Sequence, residues 1–161
     1  LGGKGVLWEL FSFNPPTLQL YVRLCASSPY LSTILTSNPG MVDELMDSLV
    51  MNKLPTIDTL RQSLQDRSRG AEDLDPILHS FKNDRQLRVG VRDLLGKEDV
   101  QSTTAALASI AEVCLGQIAR REYDKLAARF GHPRIGEGPH AGQPCEMLIL
   151  GILYALVLRA G

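Results

Sequence analysis

The sequence is short of most features by which proteins betray their chemistry. Cysteine is scarce: Cys25, Cys114 and Cys145 are odd in number and far apart, which argues against a disulfide framework and fits reduced thiols in cytoplasm. Neither sign of charge is in excess. Lys plus Arg number 17 against 18 Asp plus Glu, giving a formal net charge of −1 and a pI near 6.3, so general electrostatic attachment to nucleic acid or to an acidic membrane is not expected. No apolar run reaches the ~18–20 residues of a membrane-spanning helix. The longest covers residues 147–158 with one glycine inside, so the chain reads as soluble, with no membrane partner. A phosphate-binding Gly-x-x-x-x-Gly-Lys-Ser/Thr loop, a Gly-x-Ser-x-Gly elbow and a Cys-x-x-Cys pair are all missing. The opening Leu-Gly-Gly-Lys-Gly lacks the apolar stretch of a signal peptide, and a first residue other than Met is what a fragment would show.

What is present suits one globular domain with a packable core: 161 residues, 44% hydrophobic and 22% charged. Proline and glycine punctuate residues 1–130 at helical intervals, and alternating β-branched runs are few, so this region is expected to be a mainly α, multi-helix bundle. Pro15 and Pro16 open a helix whose apolar face is read as Leu18, Tyr21, Val22 and Cys25. Ser28-Pro29 opens another with Leu31, Ile34 and Leu35, and a further short helix is expected from Met41 to Leu49. Pro55 and Thr56 start a polar, peripheral helix through Leu60 and Leu64 that ends near Gly70.

Two long helices follow. Asp75 as N-cap and Pro76 at the first helical position open one through Leu78, Phe81, Leu87, Val91 and Leu95, closed by Gly96. The other runs from Asp99 to Arg129, with a buried stripe expected at Val100, Leu107, Ile110, Cys114, Ile118, Tyr123, Leu126 and Phe130. Residues 131–146 then form a Gly/Pro-rich loop, and residues 147–161 a short apolar C-terminal segment, strand or helix.

Candidate chemistry is sparse. Asp73 and Asp75 have the two-residue spacing of a metal-binding carboxylate pair, but they stand where a loop enters a helix, and helix capping accounts for Asp75. His132, His140 and Cys145 share the loop without zinc-site spacing, and ordering a loose loop costs entropy; no metal site is expected. His79 reads as a helix-surface residue. Arg85, Arg88 and Arg92, at i, i+3 and i+7, share one helical face, with Asp84 and Asp93 near enough to neutralise part of it. Such a face is either salt-bridged internally or a contact for an anion or partner, and these three are the residues chosen for the second role. The cluster Arg120, Arg121, Lys125 and Arg129 is interleaved with Glu122 and Asp124 and reads as a solvated helix end.

Several runs of wording are more specific than this physics. They are Leu24-Cys-Ala-Ser-Ser-Pro-Tyr-Leu31, Ser37-Asn-Pro-Gly-Met-Val-Asp-Glu-Leu45, Ser80-Phe-Lys-Asn-Asp-Arg-Gln-Leu-Arg-Val-Gly-Val-Arg-Asp-Leu-Leu-Gly96, Thr103-Thr-Ala-Ala-Leu107 and Ala111-Glu-Val-Cys114. Over residues 5–151 the chain resembles the bifunctional glutamine synthetase adenylyltransferase/adenylyl-removing enzymes, in the helical region leading into the second nucleotidyltransferase half. The resemblance implies ATP and Mg²⁺ as cofactors of the full-length enzyme and glutamine synthetase, a PII-type signal protein or the rest of the parent enzyme as partners. In that family the strand matching Met147 to Gly151 enters a Gly-Lys-Leu-Gly-Gly turn and a Ser-Asp-Leu-Asp segment that carry the chemistry. Here Ile-Leu-Tyr-Ala-Leu-Val-Leu-Arg-Ala-Gly follows Gly151 instead, so no catalytic, cofactor-binding or metal-ligating residue carries over.

The expectation is a truncated or frame-shifted, cytoplasmic, non-catalytic piece of such an enzyme. The alternative is a stand-alone helical module that binds glutamine synthetase or a PII-type protein. In either case the apolar tail must bury itself against the helices or in a self-association contact.

Overall fold

The computed structural model describes residues 12, 15–38, 40–41 and 53–145. Five helices lie among them: α1 Pro15–Ser27, α2 Pro29–Ser37, α3 Ile57–Ser68, α4 Asp75–Leu94 and α5 Val100–Phe130. The mainly α class is as the punctuation implies. The helix expected over 41–49, apart from Met41, and the tail over 147–161 lie outside the described residues.

Local chemistry sets most helix ends. Ser28 accepts a hydrogen bond on its hydroxyl from the Leu31 amide at 3.3 Å, and Pro29 occupies the following position where no amide hydrogen is needed. Asn38 closes α2 by donating its side-chain amide to the Ile34 carbonyl at 2.9 Å. Thr56 caps α3 through the Thr59 amide, and Asp99 caps α5 through the Ser102 amide at 2.6 Å. At α4 the cap differs from expectation. Asp75 is the first helical residue rather than the cap, and Asp73 accepts the Asp75 amide at 3.0 Å. One residue of offset frees the Asp75 carboxylate for another partner.

α4 is the central wall, with a core on each side. Leu87 and Val91 pack with Leu20 and Leu24 of α1, Leu31, Ile34 and Leu35 of α2, and Met41. Leu78, Phe81 and Val89 pack with Leu60 and Leu64 of α3 and with Ala106, Ile110, Val113 and Cys114 of α5. Burying each such side chain stabilises the fold by about 1.5–3 kcal/mol. α2 crosses α4 at Gly90, where an added Cβ would lie 2.5 Å from Leu31 Cδ1; glycine is what permits that approach.

Three faces differ from the sequence reading. In α1 the buried stripe is Thr17, Leu20 and Leu24, whereas Leu18 and Val22 are 41% and 57% exposed. Both patterns have helical spacing; the Leu20–Leu24 pair prevails because it meets α2 and α4 together. α3, expected to be peripheral, sinks Leu60 and Leu64 completely into the second core despite a narrow apolar face. In α5 the buried residues are Thr103, Ala106, Ile110, Val113 and Cys114, and the stripe stops there. Val100, Ile118, Leu126 and Phe130, expected inside, are exposed. For Leu126 and Phe130 length is the reason: 31 helical residues span about 46 Å, against about 30 Å for α4 and about 18 Å for α3, so the C-terminal end of α5 outruns its neighbours.

Gly131 ends α5 with φ near +81°. The loop beyond it is more ordered than its composition suggests. Ile135 N–H donates to the Gln143 carbonyl at 3.0 Å, Gly142 N–H to the Ile135 carbonyl at 2.8 Å, and Cys145 N–H to the Pro133 carbonyl at 2.9 Å. It folds back on itself as a small hairpin-like loop, with Arg134 donating to the Gly142 carbonyl at 2.7 Å.

Candidate functional site

The most concentrated polar chemistry lies between α3 and α4, around Asp84. Its side chain is almost wholly buried and faces three guanidinium groups. Arg88 donates from Nε at 2.9 Å, Arg67 from Nη2 at 3.2 Å, and Arg85 Nε lies 3.8 Å away. Arg85 also donates from Nη2 to the Ser63 hydroxyl at 2.9 Å. Arg67 and Arg85 lie over the Phe81 ring, at 5.7 and 5.3 Å from its centroid. Burial is the main influence on both Arg85 and Arg88, and it lowers their pKa; Asp84 opposes this at Arg85. Both nevertheless remain cations, because guanidinium does not deprotonate in proteins. The cluster is a charged rivet fastening α3 to α4.

Arg92, the third residue of the expected contact face, is also buried. It donates from Nε and Nη2 to Glu98 Oε1, the first at 2.7 Å. Its neighbours in Arg92-Asp93-Leu94-Leu95-Gly96 complete one corner. Asp93 accepts from the Thr103 hydroxyl of α5 at 3.1 Å, Leu94 and Leu95 pack on the first core, and Gly96 turns the chain at φ near +68°. The Lys97 amide donates to the Arg92 carbonyl at 3.0 Å. The motif therefore joins α4 to α5. The structure turns Arg85, Arg88 and Arg92 inward onto Asp84, Ser63 and Glu98, so the anions they meet are the protein's own.

Sequence reasoning noted Asp84 only as a nearby neutraliser and passed over Glu98. Its signal was available: an Asp between Phe81 and Leu87 on the core face, four residues before Arg88, is a buried acid that needs cations.

The other candidates are held apart. Asp73 is occupied by the Asp75 amide, and Asp75 accepts from Arg121 Nη1 of α5 at 2.9 Å. Two carboxylates turned to separate partners do not fit a shared Mg²⁺. His132 Nδ1 lies 3.4 Å from the Tyr123 hydroxyl, and among the described residues no group of three His, Cys, Asp or Glu could hold a metal ion. In the second basic cluster, Arg121 and Lys125 both bond Glu122, at 2.8 and 3.1 Å. The bond to Asp75, and after it the bond to Glu122, raises the Arg121 pKa, while the bonds from Lys125 and then Arg121 lower that of Glu122.

Two half-open grooves stand out among the described residues. One, of about 430 Å³, runs between α3 and α5 and is walled by Arg61, Gln65, Glu112, Gln117 and Arg120, with Arg61 bonded to Glu112 at 2.7 Å. The other, of about 480 Å³, lies beside Gly90 under Tyr30, whose hydroxyl donates to Gln86 at 2.6 Å.

Its described residues thus form a helical domain stapled by buried Arg–acid pairs. Residues 18–152 match the family described as Glutamate-ammonia ligase adenylyltransferase, and the chain belongs to that family. It is 29% identical over 140 residues to the bifunctional glutamine synthetase adenylyltransferase/adenylyl-removing enzyme of Methylococcus capsulatus, covering 84% of this chain and 15% of that protein. It is 27% identical over 158 residues to the enzymes of the same name from Brucella suis and Brucella melitensis, covering 96% of this chain and 15% of each. The chain thus spans about 15% of the length of these relatives. No solved structure matches it.

Proposed function

We propose that this chain is a supporting helical segment of a cytoplasmic glutamine synthetase adenylyltransferase, and that by itself it does not transfer AMP. The observation that carries the reading is the use of the family-bearing residues: Arg85, Arg88, Arg92, Asp93 and Gly96 are consumed in joining α3, α4 and α5. ATP and Mg²⁺ would act elsewhere in the full-length enzyme, since Asp73 and Asp75 are engaged separately. Incubation of the chain with glutamine synthetase, labelled ATP and Mg²⁺ should leave the target unlabelled; transfer above background would overturn the proposal.

The groove between α3 and α5 favours a second reading, a module that binds glutamine synthetase or a PII-type protein directly. Arg120 and Arg61 give it two cations around one acid. Titration of either protein against the chain, with the charge-reversed R61E/R120E variant beside it, separates the readings. Saturable binding that the variant loses establishes the module, and absence of binding leaves the supporting segment.

A further inference from the structure

The groove beside Gly90 is walled by leucine and ends on a carboxylate. Leu31, Leu94 and Leu107 line it, with Tyr30 and Asp93. Gln86, Gly90 and Asp93 stand four and three residues apart, so they follow one another along one face of α4 over about 10 Å. Tyr30, bonded to Gln86, marks one end of that line and Asp93 the other.

Asp93 differs from the other acids of the bundle. Its Oδ1 accepts from the hydroxyl of the buried Thr103 at 3.1 Å, which holds the carboxylate at the groove wall. Its charge meets no basic side chain among the described residues. The other described acids that are at least partly buried are all paired: Asp84 with Arg67 and Arg88, Glu98 with Arg92, and Glu122 with Arg121 and Lys125. Described acids without such a partner, Glu72, Asp73, Asp99, Asp124 and Glu137, are otherwise exposed to water. Asp93 alone combines partial burial with a missing cation, and a carboxylate drawn out of water favours a cation beside it.

We infer that this groove takes an arginine side chain carried on a protein segment from outside the chain, its guanidinium on Asp93 Oδ2 and an apolar neighbour beside Tyr30. Charge complementarity selects a cation. A guanidinium is more weakly hydrated than the ammonium of lysine and is flat, which suits an acid set between leucines. The groove is open along one side, whereas a small-molecule site encloses about 70–90% of its ligand; an entering side chain can leave its backbone in solvent. Alternate side chains of an extended segment lie about 7 Å apart, so both contacts fit within the groove. Tyr30, 54% exposed, offers an aromatic body for the apolar contact. The site is separate from the groove between α3 and α5 and does not depend on it.

Amide NMR of the full chain, titrated with a blocked Leu-Ala-Arg peptide, tests this, because leucine and arginine then share one face of an extended backbone. Saturable shifts are expected at Gly90, Asp93 and Leu107, with a Kd on the order of 1 mM. The same peptide with citrulline, the uncharged isostere of arginine, should bind at least about tenfold more weakly, the fold-change of one charge-assisted hydrogen bond. Asp93→Asn keeps the side chain's shape and should bring the arginine peptide down to the affinity of the citrulline one, while unchanged shifts of Phe81 and Ile110 report an intact core. The citrulline comparison is made on the native chain, so it decides the matter even where Asp93→Asn unsettles α4. Equal binding of the two peptides, an arginine preference that survives Asp93→Asn, shifts centred instead on Arg61 and Arg120, or no saturable shift up to about 10 mM peptide would each overturn the inference.

Discussion

The two halves of α5 share one helical backbone and a similar supply of apolar side chains, but they differ in what they meet. Ile110, Val113 and Cys114 are sealed by α3 and α4, whereas Leu126 and Phe130 extend past Arg121, the residue bonded to Asp75 at the start of α4, and stay exposed, as do Leu115 and Ile118 before it. Helical periodicity thus specifies a face but not its cover. The cover is set by how far the neighbouring helices reach, a property of other segments.

The largest expected effect breaks the rivet beneath the first half. Asp84→Ala leaves Arg67, Arg85 and Arg88 around a buried site without their acid, and should cost about 3–5 kcal/mol in a denaturant melt. Asp84→Asn should recover little of this, because the charge and not the shape is missing. Next is the corner that launches α5. Arg92→Ala should cost about 1.5–3 kcal/mol by stranding Glu98, and Arg92→Lys should restore only part, lacking the two-nitrogen fork.

A smaller effect sharpens the contrast in reactivity. Cys114 is buried and its thiol pKa is pushed up by desolvation, while Cys145 is exposed. A thiol reagent should label Cys145 in the native protein and reach Cys114 only on unfolding. Equal native rates would mean that the inner half of α5 is open.

The smallest concerns pH. The Asp99 carboxyl is held below its ordinary pKa by the Ser102 amide, so its contribution to stability is complete above the unfolded value near ~3.9 and is lost as pH falls through the lower folded value. The melting-temperature gap between the native chain and Asp99→Ala should be present at pH 7 and close in strong acid.

Much of the fold was legible in particular residues. Ser28-Pro29, Thr56 and Asp99 marked helix starts, and Gly96 and Gly131 marked ends, because capping and positive φ are local demands that one or two residues satisfy. Which face would be buried was less legible. Leu18 and Val22 have the same spacing as Leu20 and Leu24, and only contact with α2 and α4 chooses between the pairs. The arginine face was seen, and internal salt-bridging was one of its two readings, but most of its partners were not. Arg85, Arg88 and Arg92 turn inward because Asp84 shares their helix, Ser63 comes from α3, and Glu98 lies beyond a turn that periodicity does not reach.

The most direct test of the division within α5 is a paired denaturant measurement of Ile110→Ala and Leu126→Ala. Ile110→Ala should lose about 2–5 kcal/mol of bundle stability and Leu126→Ala no more than about 0.5. Equal losses at the two positions would contradict the division and place the outer half of the helix within the same core.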